Sequence, residues 1–306
     1  KPMPICFMGV KKYSALWKIT INLEIDNPVY ILSPENIIKL KLKKNILSIF
    51  YITSVSFWFM NTFRNFYLPM AILLGLFLIV QFGNFNQTLF LNLNHAAQFM
   101  PIQFWGYITF LGDGIIAGCI LAVIFRKNPR IAFMGILAVF GSGIIVQVLK
   151  SYFSIPRPAG ILSLDEFYQF GEILKFRGFP SGHSSTAFSL LGTFFYAHEN
   201  NKRGVLFFFA ALLIAFSRIA IGVHWPVDIL VGSMIGLTTI YLISIKLRSY
   251  TLGFKVELTI GIFLLLICIS ILFYDPRMPG MQMLQWLFGL GGTTCIISRF
   301  YSSCKN

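Results

Sequence analysis

The run IAFMGILAVFGSGIIVQVLKSYFSIPRP, residues 131–158, carries no charge between Ile131 and Leu149 and then meets Lys150 and Arg157 in quick succession. A helix of about twenty apolar residues crosses roughly 30 Å of hydrocarbon, so 131–149 reads as a membrane span that delivers two cations to one bilayer face. Two further strings do the same. Pro180-Ser181-Gly182-His183 stands directly before the apolar run 183–198, and Ser217-Arg218 closes the run 204–221, with His224 and Asp228 at the start of 227–245. Cations, two imidazoles and a carboxylate are thereby placed at span ends on one face, a set able to hold and cleave a phosphate ester.

Composition sets the fold class. Of 306 residues, 56% are hydrophobic and 12% charged, and the mean hydropathy is +0.74, far outside the range of water-soluble chains. The expectation is an all-α fold, a polytopic membrane helix bundle. Spans are expected at 66–82, 103–125, 131–149, 183–198, 204–221, 227–245, 257–274 and 282–298, with 83–102 as a loop. Ser48, Thr53, Ser54 and Ser56 dilute the stretch 45–61, which reads as an interfacial helix, a ninth span being the alternative. Residues 1–44 are polar and rich in lysine. The expected division is therefore a basic cytoplasmic or interfacial extension at 1–65, a membrane core at 66–246 and additional membrane helices at 247–306.

The formal charge of +14 does not point to nucleic acid, because no basic patch is interleaved with aromatics as single-strand binders require. In a membrane chain the surplus of Lys and Arg marks cytoplasmic loops. Arg126, Lys127 and Arg130, then Lys202 and Arg203, then Lys246, Arg248 and Lys255, and finally Arg299 and Lys305 fall on alternate loops. The three strings then face away from the cytoplasm, toward the periplasm or exterior in a bacterium and the lumen or exterior in a eukaryote. Cys6, Cys119, Cys268, Cys295 and Cys304 show no CxxC spacing, so neither a zinc site nor a disulfide framework is indicated. No internal repeat of the kind that builds many transporters stands out. No apolar core with a small-residue cleavage site opens the chain, so no cleaved leader is expected; the chain starts on Lys1, and a missing native start is expected.

The residue types explain the chemistry. Arg157 and Arg218 offer planar forks suited to phosphate oxygens and Lys150 a compact charge, although Lys150 taken alone fits a snorkelling helix end. Pro180-Ser181-Gly182 forms a helix start whose N–H groups attract anions, with Ser181 as a cap and Gly182 allowing close approach; a plain Ser cap accounts for the Pro and Ser but not for His183. His224 and Asp228 lie four apart, on one face of a first turn, so the carboxylate can fix one ring nitrogen and leave the other free. The alternative for Asp228 is a structural pair with Arg218. Asp113, the other acid inside a span, reads as structural. The segment 159–179 mixes aromatics with charges and reads as a surface lid, or else as an interfacial helix that only anchors the chain.

These strings, KSYFSIPRP at 150–158, PSGH at 180–183 and SRIAIGVHWPVD at 217–228, resemble the three ordered signatures of the type 2 phosphatidic acid phosphatase (PAP2) family. TFLGDG at 109–114 is similar to a less diagnostic feature of that family. The resemblance covers roughly residues 66–246 and implies a six-helix core, to which this chain adds about two C-terminal transmembrane helices and its N-terminal extension. It implies a membrane lipid phosphatase in which His224 attacks phosphorus to form a phosphohistidine, Asp228 orients it, and His183 protonates the leaving oxygen and later activates water. Lys150, Arg157, Ser181, Gly182 and Arg218 would bind the phosphoryl oxygens, with no metal and no cofactor. Implied substrates are undecaprenyl pyrophosphate, phosphatidylglycerophosphate, phosphatidic acid and lipid A phosphates, taken from the bilayer of a bacterial inner membrane. The competing readings are a phosphotransferase that passes the phosphoryl group to a lipid or sugar hydroxyl, and a non-catalytic lipid binder.

Overall fold

Residues 28–32, 37–41, 66–197, 201–247, 250–275 and 278–305 are described by the structure, a computed structural model. Pro28–Leu32 (β1) pairs antiparallel with Ile37–Lys41 (β2), with Ile31 opposite Ile38. Val29, Ile31, Ile37 and Ile38 are β-branched and suit a pleated ladder. The hairpin belongs to a separate compact unit from the helical body, and it is a local addition that the polarity of 1–44 did not announce. The stretch 45–61 lies outside the described residues.

From residue 66 onward the described chain is helical apart from its connections, the longest being 161–181, as an all-α bundle requires. Its helices are Leu68–Phe82 (α1), Asn86–Ala96 (α2), Ile102–Phe110 (α3), Gly114–Phe125 (α4), Pro129–Phe153 (α5), Gly182–Ala197 (α6), Asn201–Ala220 (α7), Pro226–Lys246 (α8), Phe254–Ser270 (α9) and Gln282–Lys305 (α10). Two expectations are revised. The loop expected at 83–102 is mostly helix: α1 turns through 114° into α2, with Asn84 at φ 55° making the corner, a left-handed conformation that asparagine tolerates. The single span expected at 103–125 is broken between α3 and α4 by a 57° bend. Asp113 causes the restart, because its carboxylate accepts the Ile115 N–H at 2.8 Å and caps α4.

Among the described residues, helices α5 and α8, and α9 with its trailing turn, are each long and apolar enough to cross a membrane, and the two bent pairs raise the number to five. The sequence reading had eight spans, and α6 shows why hydropathy is a poor measure for some of them. It packs against α5, α7 and α8 and presents Ser184, Ser185, Ser189 and Thr193, all buried. Ser189 donates to Ser142 of α5 at 2.9 Å and Thr193 to the Ser189 carbonyl at 2.8 Å. Hydroxyls inside a bundle are satisfied by neighbours and lower the hydropathy without facing lipid. The lipid face is read instead from Ile79, Ile144, Val148, Leu206 and Leu266, each at least 60% exposed. So much exposed aliphatic surface does not occur in water; the protein is an integral membrane protein.

Helix α8 lies on α6 through Gly232 and Gly236, where an added Cβ would run into the Ser181 and Ser185 carbonyls. Helices α9 and α10 pack on α4, with Cys119, Leu121 and Phe125 meeting Ile260, Leu264, Cys268 and Ile296 in one core. At one end of the bundle Arg130 donates to the Leu247 carbonyl at 2.6 Å, and Arg299 bonds the Arg126 carbonyl at 3.2 Å and Glu257 at 2.8 Å. The ends of α5 and α7 and the starts of α6 and α8 meet at the opposite end.

Candidate active site

At that end the three strings converge. Lys150 lies in the last turn of α5, and the chain leaves the helix through Ser154 at φ 47°. Pro156 and Pro158 then hold Arg157 between them, and its backbone N–H bonds the Lys175 carbonyl at 2.9 Å. The Arg157 side chain is anchored by three contacts: Nε to the Phe176 carbonyl at 3.1 Å, Nη1 to the Val223 carbonyl at 3.1 Å and Nη1 to His224 Nε2 at 3.4 Å. Lys150 does not reach for solvent. It is 8% exposed, and Nζ donates to the Arg177 carbonyl at 2.9 Å.

His224 is fixed from its other side. Nδ1 lies 3.0 Å from Asp228 Oδ2, which also accepts the Trp225 N–H at 3.0 Å. A carboxylate only accepts, so Nδ1 carries the proton; Nε2 then bears a lone pair, in keeping with its place as acceptor of the Arg157 contact. The i,i+4 geometry expected from sequence is present, and the alternative pair of Asp228 with Arg218 is not formed. Arg218 instead gives Nη1 to Thr109 Oγ1 at 2.7 Å, while its Nε is buried without a partner. A guanidinium N–H left without an acceptor at a buried position is costly, which makes Arg218 Nε a candidate donor to an anion.

The start of α6 supplies neutral donors. Ser181 Oγ accepts the Ser184 N–H at 3.3 Å and the Ser184 hydroxyl at 2.9 Å, and the Ser181 N–H bonds the Asp228 carbonyl at 2.9 Å. The N–H groups of Gly182 and His183 have no backbone partner, as the first turn of a helix dictates, and the space beside Gly182 is open except for Val146 at 3.8 Å. The His183 ring is partly exposed and forms no hydrogen bond among the described residues. Gly112, at the α3–α4 break, lies against Ile214 and the His183 Cβ and carbonyl.

Burial, then the cations Arg157, Lys150 and Arg218, and finally His183, push His224 well below the ordinary histidine value of 6.5. A lowered value means that the ring is neutral at pH 7 and gains its proton only as the pH falls further. In ¹⁵N-histidine spectra of the ligand-free protein in detergent, the His224 ring is expected to titrate below pH 6.5. A midpoint above that value would mean that the cations do not control the ring.

The residues singled out from sequence are thus gathered at one place: Lys150, Arg157, Ser181, Gly182, His183, Arg218, His224 and Asp228. Sequence reasoning missed Thr109, although it is the first residue of the TFLGDG string. It also missed Asn94 of α2, fully buried, whose Nδ2 bonds the Tyr168 and Ile219 carbonyls at 2.9 and 3.0 Å and whose Oδ1 accepts the Tyr168 N–H at 2.8 Å. Trp225 Nε1 likewise bonds the Pro156 carbonyl at 2.9 Å. The segment 161–181 contains no helix. It is an irregular strap whose carbonyls hold Lys150 and Arg157, and Gly178 passes so near Asp228 that a Cβ there would stand 3.3 Å from Oδ2.

The residues in this site fall within a wider likeness. The family model described as the PAP2 superfamily matches residues 132–250. Among solved structures, LpxE of Aquifex aeolicus is 32% identical over 53% of this chain and 94% of its own, with a TM-score of 0.46. The first transmembrane PAP2 type phosphatidylglycerolphosphate phosphatase from Bacillus subtilis is 22% identical over 60% of this chain and 98% of its own, with a TM-score of 0.45. No curated protein matches the chain. The family model spans all three strings, so the segment that carries the site, residues 132–250, is what matches the PAP2 superfamily.

Proposed function

We propose that this protein is a membrane lipid phosphatase that cleaves a lipid phosphate or pyrophosphate through a phosphohistidine on His224. The observation that carries this reading is the His224 ring, held by Asp228 through Nδ1 at 3.0 Å, with its Nε2 lone pair beside Arg157. Nε2 attacks phosphorus as the bond from phosphorus to the ester oxygen breaks, and the departing oxygen takes a proton from His183. Water then attacks the phosphohistidine; its proton passes to His183, the N–P bond breaks and orthophosphate leaves. Asp228 offsets the positive charge that the ring acquires on becoming phosphorylated. Arg157, Arg218 and Lys150, with the free N–H groups of Gly182 and His183, surround the charge that develops on the phosphoryl oxygens. These groups supply the charge stabilisation that bound cations provide in other phosphoryl-transfer sites, and no step draws on a metal or cofactor.

The substrate is proposed to be a lipid because the site lies at the membrane end of a bundle covered by exposed aliphatic side chains. LpxE and the B. subtilis phosphatidylglycerolphosphate phosphatase, by name, are consistent with that class. The basic loops around Arg126, Arg130 and Arg299 lie at the other end. By the positive-inside rule that end is cytoplasmic, and the site faces the periplasm or exterior of a bacterial inner membrane. Residues 66–246 form the proposed catalytic core.

Purified protein in detergent with EDTA, offered undecaprenyl pyrophosphate, phosphatidylglycerophosphate, phosphatidic acid and lipid A, is expected to release orthophosphate from at least one of them. Phosphorylated acceptor with little free phosphate would identify a phosphotransferase instead. Turnover of none of them, with or without an alcohol acceptor, would leave a lipid-binding protein.

A further inference from the structure

The C-terminal hairpin of α9 and α10 lies outside the family match at 132–250, yet its tip reaches the strap that borders the site. Phe170 of the strap and Met278 both pack against the apolar core that contains Met281, and both pack against the cluster of Ala97, Trp105, Ala220 and Ile221. The Phe170 ring lies over Gly106 of α3 so closely that a Cβ there would stand 2.6 Å from Cε1, with the Met281 methyl at 3.2 Å on the same spot. One residue type only, glycine, leaves room for the ring between α3 and the methionines. Phe170 also gives its N–H to the Ile221 carbonyl at 3.2 Å. The next residue, Gly222, has φ +77° and is covered by Phe167 and the Tyr168 carbonyl; two residues later comes His224. A continuous path of contacts therefore runs from the hairpin tip through Phe170 to the strap 161–179 and the turn before His224.

We propose that Met278 and Met281 of the C-terminal hairpin are positioning residues that clamp Phe170 and so set the shape of the strap against which the lipid part of the substrate is received. This rests on the lipid phosphatase reading. Neither methionine touches the groups assigned to phosphoryl transfer. The strap carbonyls that hold Lys150 and Arg157 come from residues 175–177, five or more positions beyond Phe170, so the clamp acts on recognition of a large substrate and leaves the chemistry on a small one as it is. Methionine suits the task, since its unbranched chain fills the irregular gap beside an aromatic ring.

The test compares Met281→Ala and Phe170→Ala with the parent on two substrates, phosphatidic acid in mixed micelles and soluble para-nitrophenyl phosphate. Misplacement of a substrate by about 1 Å costs up to roughly 10²-fold, and a strap freed at one of its anchors is expected to raise KM for the lipid by about 10-fold, with kcat for either ester within about 2-fold. Gly106→Ala, which displaces the same ring without removing any side chain, is expected to give the same split. An equal fall in kcat on both esters, or an unchanged lipid KM in all three variants, would overturn the proposal. Hydrogen exchange at the Phe170 and Tyr168 amides separates its failure from that of the phosphatase reading. Faster exchange in Met281→Ala supports the clamp even if neither ester is turned over, and unchanged exchange refutes it whatever the activity.

Discussion

His224→Ala is expected to lower phosphate release by at least about 10⁴-fold, because it removes the proposed nucleophile and leaves only binding and charge stabilisation behind. The variant should fold. The ring is buried at the junction between α7 and α8, and its one strong partner, Asp228, retains the Trp225 N–H. Parent protein incubated with ³²P-labelled substrate and quenched in alkaline detergent should carry an acid-labile, base-stable phosphate that the variant lacks. His183→Ala should still acquire that label, most readily with a good leaving group, and lose it slowly, because the second half-reaction needs His183 to take a proton from water. Equal labelling of parent and His224→Ala would move the nucleophile elsewhere and overturn the assignment.

The second large effect is expected from Asp228→Asn, on the order of 10³- to 10⁴-fold in kcat, comparable to losing the orienting carboxylate of other histidine-dependent sites. Asparagine has the same shape and keeps one acceptor oxygen, which can still receive the His224 Nδ1–H or the Trp225 N–H. It has no charge to offset the ring as the N–P bond forms. If the amide turns its NH₂ toward the ring, Nδ1 must become the acceptor, and the proton moves to Nε2, the atom that needs a lone pair. Thermal unfolding within a few degrees of the parent together with a lost rate would separate this effect from misfolding. A loss below about 10-fold would mean that Asp228 is there for the Trp225 N–H and not for the ring.

How much of this was legible in the chain depends on range. The His224–Asp228 pair is local: His224 lies just before α8 and Asp228 in its first turn, where the carboxylate reaches back to the ring and to the Trp225 N–H, and sequence spacing discloses it. The start of α6 is local in the same way. What joins the strings is not. Arg218 meets Thr109 across 109 residues, and nothing marks one threonine at a span's end until the bundle closes. Asn94 lies in a stretch with Asn84, Asn86 and Asn92, and periodicity does not say which of them is buried. Hydropathy located the apolar runs well but misread 83–102, where polar side chains face the strap from a helix. It also passed over the break in 103–125, which depends on a single capping carboxylate. The segment 159–179, read as a surface lid or else an interfacial helix, contains no α-helix; that it holds Lys150 and Arg157 was not legible, because backbone carbonyls carry no sequence signature.

The glycines of α8 have a further meaning for how this site keeps its dimensions. His183 sits on α6 and His224 in the turn just before α8, and in the proposed reaction the spacing between them is the gap that phosphorus fits. Where Gly232 meets the Ser181 carbonyl, two backbones touch with no side chain between them, and the Ser181 N–H to Asp228 carbonyl bond of 2.9 Å locks the same crossing. Main chain against main chain has no rotamers to relax and little compressibility. The crossing therefore works as a gauge block: lipids of varied thickness and chain length can reshape the outer faces of α5, α7 and α8 while the interval between the two imidazoles stays the same.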